Sequence, residues 1–311
     1  MTEVAAPAEK PIDLQKYAWL SIATGVVVFL LKLVAWKFTG SVGLLSDALE
    51  STVNIVAAVI ALLALRTAMK PADSLHHFGR GKAEYFSAQI EGFMILVAAL
   101  VIVATSVERF IHPKELEQLG WGLAISSFAS ALNGGTAMIL LRSGKRHRSP
   151  TLVADARHLL TDVWTSVGVV VGVGLVTVTH YNRLDAIVAL AVGLNIVVTG
   201  FNLLRESTAK LMDKALPSED HDLIVGVLAS HTSDEVKFHA LQTRESGRHR
   251  FVSMHILVPG AWTVQQGHDL SEKVEAEIIA ALPDTTVSTH VEPIEDPRSW
   301  ADVPTGQHSW E

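Results

Sequence analysis

Long apolar runs and short polar breaks alternate along the chain from about residue 14 to residue 204. A helix that crosses a bilayer needs about 20 mostly apolar residues. Six stretches meet that length: 14–38, 43–65, 84–107, 119–141, 152–178 and 185–204. From about residue 208 the pattern becomes that of a soluble domain. It predicts a helix over 222–230, strands over 236–242 and 251–258, a helix over 264–281 and a third strand over 286–291. Val274, Ile278 and Leu282 share one face of that second helix. An αββαβ order packs as a small sheet with helices on one face. The expected fold class is therefore an α-helical membrane protein of six transmembrane helices followed by an α+β domain. The expected organisation is an N-terminal tail (1–13), a transmembrane domain (14–207), a second domain (208–295) and a C-terminal tail (296–311). The first residues carry Glu3, Glu9 and Asp13 and no apolar core, so they read as a tail and not as a signal peptide.

Charge in the short loops sets the orientation. The loop after the second span carries Arg66, Lys70, Arg80 and Lys82, and the loop after the fourth carries Arg142, Lys145, Arg146 and Arg148. Lys210 and Lys214 follow the sixth. The opposite side offers only Lys37, Arg109, Lys114 and Arg183. The richer set belongs in the cytoplasm, which puts both termini there as well. The chain has 49% hydrophobic and 18% charged residues, below the roughly 25% charge of soluble domains. A net charge of −7 and the lack of a basic recognition helix argue against nucleic acid as a partner. There are no cysteines, which removes disulfides and thiolate ligands, and there are 14 histidines. Any metal bound must be one that accepts imidazole and oxygen, such as zinc, iron(II), cobalt, nickel or manganese, in preference to copper(I).

Ionisable residues inside a spanning helix are costly and point to function. The second span holds Asp47 and Glu50 with Asn54, and the fifth holds Asp155, Arg157, His158 and Asp162. In each, an Asp is followed by ligand-type residues three and seven positions later, which fall on one helical face. Facing stripes of this kind let Glu50, Asn54, His158 and Asp162 surround one ion with nitrogen and oxygen ligands, a set suited to Zn2+, Fe2+ or Co2+. The same groups take protons when the metal leaves, so metal and proton binding compete. Asp47 and Asp155, one turn earlier, support the ligand pairs, line an access path or pack the helices. The alternative for the whole constellation is interhelical hydrogen bonding that holds the bundle together.

Several segments resemble the cation diffusion facilitator family, specifically its bacterial zinc and ferrous-iron efflux branch. They are Lys32 to Ser41, His77 to Glu84, Asp155 to His158 and Leu211 to Asp213, together with the order of the soluble domain. The resemblance implies a ferredoxin-like cytoplasmic domain and a multi-pass protein of the bacterial inner membrane. It implies transport of a divalent cation, zinc by default and otherwise Fe2+, Co2+, Mn2+, Ni2+ or Cd2+, in exchange for protons. Its transport site falls on Glu50, Asn54, His158 and Asp162. Members usually carry Asp or His and then Asp in the first pair, so Glu50 and neutral Asn54 depart from the pattern. A loop site falls on Asp73 and His76, with His77 as a substitute where Arg80 replaces a histidine. A regulatory cytoplasmic cluster falls on His239, His255, His268, His290 and Glu292. Lys82 and Asp213 fall on a charge cluster at the junction of a homodimer.

The expected activity is thus efflux of a divalent transition metal by alternating access, with metal ion, protons and lipid bilayer as partners and no enzymatic chemistry. A membrane metal sensor without transport is the alternative. A metal-dependent enzyme would need an open coordination position and a neighbouring nucleophile or acid–base group, and the sequence offers none beside the cluster. A passive channel fits poorly with a buried chelating site.

Overall fold

The computed structural model describes residues 13–39, 42–112, 120–179, 181 and 183–301. Six long helices come first: α1 (Gln15–Thr39), α2 (Val42–Ala68), α3 (Ala83–Ile111), α4 (Gly120–Arg146), α5 (Pro150–Thr179) and α6 (Arg183–Leu211). All but α1, which matches its predicted length, exceed the predicted span because the helix continues past the apolar stretch into its polar ends. The chain divides into two compact units, residues 1–79 with 83–207 and residues 80–82 with 208–311.

Among the described residues, five of the helices, α1, α2, α3, α4 and α6, are long and apolar enough to cross a membrane. The remaining one, α5, carries Asp155, Arg157, His158 and Asp162 in its first half. In this unit α1 packs on α2 and α4, and α5 packs on α2, α3 and α4. Val34, Leu63, Leu100, Val198 and Phe201 are among the large apolar side chains left more than half exposed. Such a surface is unfavourable in water and is what a helix bundle presents to lipid. Lipid supplies little hydrophobic drive between helices, so close packing has to come from small residues. Gly200 illustrates this: a Cβ there would lie 3.1 Å from both Ile95 and the backbone of Leu96.

The second unit contains α7 (Ser218–His231), β1 (Lys237–Ser246), β2 (His249–Val258), α8 (Val264–Ala281), β3 (Thr285–Pro293) and a 3-10 turn at Pro297–Trp300. The order is the αββαβ read from the hydrophobic pattern. The sheet runs β1-β2-β3, with β1 antiparallel and β3 parallel to β2. Its core face is Phe238, Val252, Met254, Ile256 and Val258, packed against Ile224 and Leu228 of α7 and Val274 and Ile278 of α8. Alternation along a strand sends the other residues to the far side, and that side carries the histidines. At the start of α8, Thr263 and Gln266 form a capping box in which each side chain satisfies a backbone N–H of the other.

Candidate metal centres

In the transmembrane unit α2, α4 and α5 bring four polar side chains together. His158 Nε2 lies 2.9 Å from Asn54 Oδ1. The Asn54 amide donates in turn to Asp162 Oδ2. Asn133 Nδ2 of α4 donates to the same oxygen at 3.3 Å. Asn54, Asn133 and His158 are all buried. Asn54, His158 and Asp162 line a cavity of about 260 Å³ whose other walls include Phe93, Ile95, Val97 and Ile102. The group therefore sits in apolar surroundings, where each electrostatic contact is strengthened. His158 Nδ1 is buried with no hydrogen-bond partner among the described residues. The backbone of α2 includes Asp47 and Glu50, but their side chains lie outside the described residues. Asp155, one turn before His158, is 1% exposed on α5.

Two residues here were not singled out from the sequence. Asn133 is uncharged and lies outside the Asp-led pattern of the second and fifth spans, yet it is the one amide in a helix otherwise made of apolar, small and hydroxyl residues up to Arg142. Glu91 is completely buried on α3, with Oε1 accepting from Ser87 Oγ at 3.1 Å. An acid in the middle of a predicted span was itself a sufficient signal.

The loop after α2 does not gather its three predicted ligands. Asp73 Oδ1 accepts from the backbone N–H groups of Leu75 and His76 at 3.0 and 2.9 Å and lies 3.3 Å from His76 Nδ1. His77 turns instead to the carbonyl of Ser74, at 3.1 Å. The loop closes on itself through an Asx turn, the local pattern that short acidic side chains favour.

In the soluble unit the register lines up three histidines across the sheet, His239 opposite His255 and His255 opposite His290. A β-bulge after His239, with Ala240 at φ 52°, re-aims β1 at this point. Glu292, two residues beyond His290, reaches across. Its Oε2 lies 3.0 Å from His239 Nε2 and 3.1 Å from His255 Nδ1, and its Oε1 lies 3.4 Å from His290 Nε2. His239, His255 and Glu292 each offer a ligand atom within 4.8 Å of the others, which is metal-site spacing. His239 Nδ1 is buried and has no partner among the described residues. The Trp300 ring lies 5.7 Å from that of His239, and its Nε1 donates to Ile294 O at 3.0 Å. The turn bearing Trp300 is capped by Asp296, whose carboxyl is held down to about 2 by side-chain and backbone hydrogen bonds from Arg298. The structure does not bring His268 into this group. It stands on α8, largely exposed, 4.0 Å from Glu272 one turn away.

Lys82 Nζ lies 2.8 Å from Asp213 Oδ1 of the same chain and donates to Leu211 O at 3.2 Å. Arg244 adds a contact to the same carboxylate at 3.5 Å.

Residues 18–212 match the family described as "Cation efflux transmembrane domain", and residues 216–294 match "Cation efflux protein, cytoplasmic domain". The chain is 52% identical over 284 residues to the "Uncharacterized transporter sll1263" of Synechocystis sp., covering 91% of this chain and 92% of that protein. It is 31% identical over 278 residues to the cation-efflux pump FieF of Serratia proteamaculans, covering 89% and 91% of the two. Among solved structures, the metal-bound C-terminal domain of the CzcD transporter from Thermotoga maritima matches a quarter of this chain and 92% of its own length, at 30% identity and a TM-score of 0.24. Six long helices, a polar cluster within their packing, an αββαβ domain, the two family matches and the full-length FieF relative lead to one assignment: the chain belongs to the cation diffusion facilitator family and is a multi-pass cation efflux protein.

Proposed function

We propose that this protein carries a divalent transition-metal cation, zinc or ferrous iron, out of the cytoplasm in exchange for protons. The transported ion binds Glu50, Asn54, His158 and Asp162 and is exposed to the two sides in turn by alternating access. The observation that carries this reading is the convergence of Asn54, His158 and Asp162 from two helices beside a cavity. The similarity to FieF, a cation-efflux pump, points the same way.

The residues supply what exchange needs. Asp162 brings negative charge, which offsets the loss of hydration of a dication in low dielectric. His158 and Asp162 each hold either a metal or a proton, so loading one species releases the other. Asp155 supports the site from one turn away or lines the path into it. The tails and the soluble domain lie in the cytoplasm of a bacterial cell, with residues 14–207 in the inner membrane and 208–295 as a metal-binding regulatory domain.

That domain holds Zn2+ or a similar ion at His239, His255 and Glu292, with His290 beside them. One Glu292 oxygen shared by His239 Nε2 and His255 Nδ1 fits a metal better than a purely structural network. The protein works as a homodimer joined near Lys82 and Asp213. Asp73 and His76 remain as a weaker loop site that His77 does not join.

The test is zinc flux into proteoliposomes with an internal dye, wild type beside Asp162→Ala, with and without a pH gradient. Gradient-accelerated flux that the variant lacks supports exchange. Steady flux in both, indifferent to the gradient, overturns it. Metal binding without flux of any divalent ion would make the chain a membrane metal sensor, the reading that neutral Asn54 in place of a carboxylate favours.

A further inference from the structure

We infer that Glu91 of α3 and Asp155 of α5 form an acid pair that shares one exchangeable proton beside the transmembrane metal site, released when a metal is loaded there and regained when it leaves. The inference rests on the exchange proposed above and adds to it a proton that no metal ligand holds.

Both acids are buried in the helix bundle, Glu91 at 0% and Asp155 at 1% exposure. The helices that carry them pack together, and Ala88, one turn before Glu91, belongs to the same buried cluster as Ala154, the neighbour of Asp155. Glu91 Oε1 accepts from Ser87 Oγ at 3.1 Å, whereas its Oε2 has no hydrogen-bond partner among the described residues. Both oxygens of Asp155 are buried without a well-formed hydrogen bond, the Ser21 hydroxyl of α1 standing nearby. Glu91 feels the charge of Asp155. The charged groups of the surrounding helices are engaged elsewhere. Arg157 of α5 turns to Glu206 of α6 at 3.6 Å, Arg205 is exposed, and Arg66 of α2 donates to Gln15. His158 and Asp162 are joined through Asn54, and Glu84 accepts from Ser149. The side chains of Asp47 and Glu50 on α2 lie outside the described residues.

An unpaired carboxylate within a bundle in hydrocarbon is costly, and two near each other without a cation are more so. One proton held by the pair removes the excess charge, and a protonated carboxyl can donate where an ionised one only accepts. Position couples the pair to the metal. Asp155 precedes His158 by three residues, about 4.5 Å along a helix axis. A dication at His158 and Asp162 supplies the missing positive charge, and the proton leaves; when the metal goes, the proton returns. This exchange needs no competition for a ligand atom, which separates the pair from His158 and Asp162 themselves.

The experiment counts the protons released per Zn2+ bound by the full chain in nanodiscs, by calorimetry in buffers of different ionisation enthalpy. Asp162→Ala is the blank for Zn2+ held in the soluble domain. Glu91→Gln keeps the size and the acceptor for Ser87 but cannot carry the proton. It should still bind Zn2+ at the Asp162-dependent site yet release about one proton fewer than wild type, so that its affinity rises about tenfold less per pH unit. Asp155→Asn should lose the same proton, which keeps the test open if Glu91→Gln does not fold, and the double variant should lose no more than either. A wild-type proton count in either variant, with Zn2+ binding intact, overturns the inference, makes the acids structural and leaves the transport site standing. Losses that add to about two protons in the double variant overturn the sharing of one proton. No Asp162-dependent Zn2+ binding in wild type would overturn the transport site and this inference together.

Discussion

Glu292→Gln separates a metal cluster from a structural hydrogen-bond network. Glu292 is 8% exposed, and its Oε2 serves both His239 at 3.0 Å and His255 at 3.1 Å. Gln keeps the size and one accepting oxygen but removes the charge. A hydrogen bond to a charged group contributes about 1.5–3 kcal/mol and a neutral one about 0.5–1.5. Two such bonds weaken by about 1 kcal/mol each, so the metal-free variant should expose its backbone amides about 30-fold faster. The metal response is the larger signal. Free Zn2+ at 100 times the dissociation constant stabilises the folded state by about 2.7 kcal/mol, or about 100-fold in opening. If the substitution weakens binding about 100-fold, the same Zn2+ concentration gives only about twofold protection. The assay is hydrogen exchange with mass spectrometry on the full chain in nanodiscs, following peptides of β1 and β2. Wild type should slow about 100-fold with Zn2+ and Glu292→Gln hardly at all. A variant that keeps the full Zn2+ response would refute the assignment of Glu292 as a ligand.

Trp300→Ala should leave the fold intact but uncover His239 and speed Zn2+ release to a chelator in stopped flow; an unchanged release rate would mean the indole does not cover the site. Ile278→Ala, at a fully buried position, should cost about 2–5 kcal/mol of soluble-domain stability in denaturant unfolding. Gly81→Ala should cost about 1–3 kcal/mol, because its Cβ would lie 2.2 Å from the carbonyl oxygen of Ser246, a backbone atom that cannot rotate away. A stable Gly81→Ala protein would show that the hairpin turn yields without cost. Lys82→Ala, which breaks a half-exposed ion pair, should change stability by no more than about 1 kcal/mol, and less in high salt.

The sequence by itself determined the parts. Apolar runs of spanning length specify helices because hydrocarbon leaves the backbone no other way to satisfy its hydrogen bonds. Alternation in residues 251–258 specified a strand with one apolar face. The spacing of His158 and Asp162 placed them on one stripe of α5, since i and i+4 share a face in any helix. Tertiary structure decided what meets what. Strand register put His239, His255 and His290 in one row and drew Glu292 into it, while His268, an equally plausible ligand by type, stayed apart on α8. Loop closure turned His77 to Ser74 and away from Asp73. Helix packing brought Asn133 of α4 to Asp162 of α5, a pairing that no periodicity within either helix could announce. Periodicity is a property of one element, whereas a site depends on the distances between elements, and those are set only when the whole chain packs.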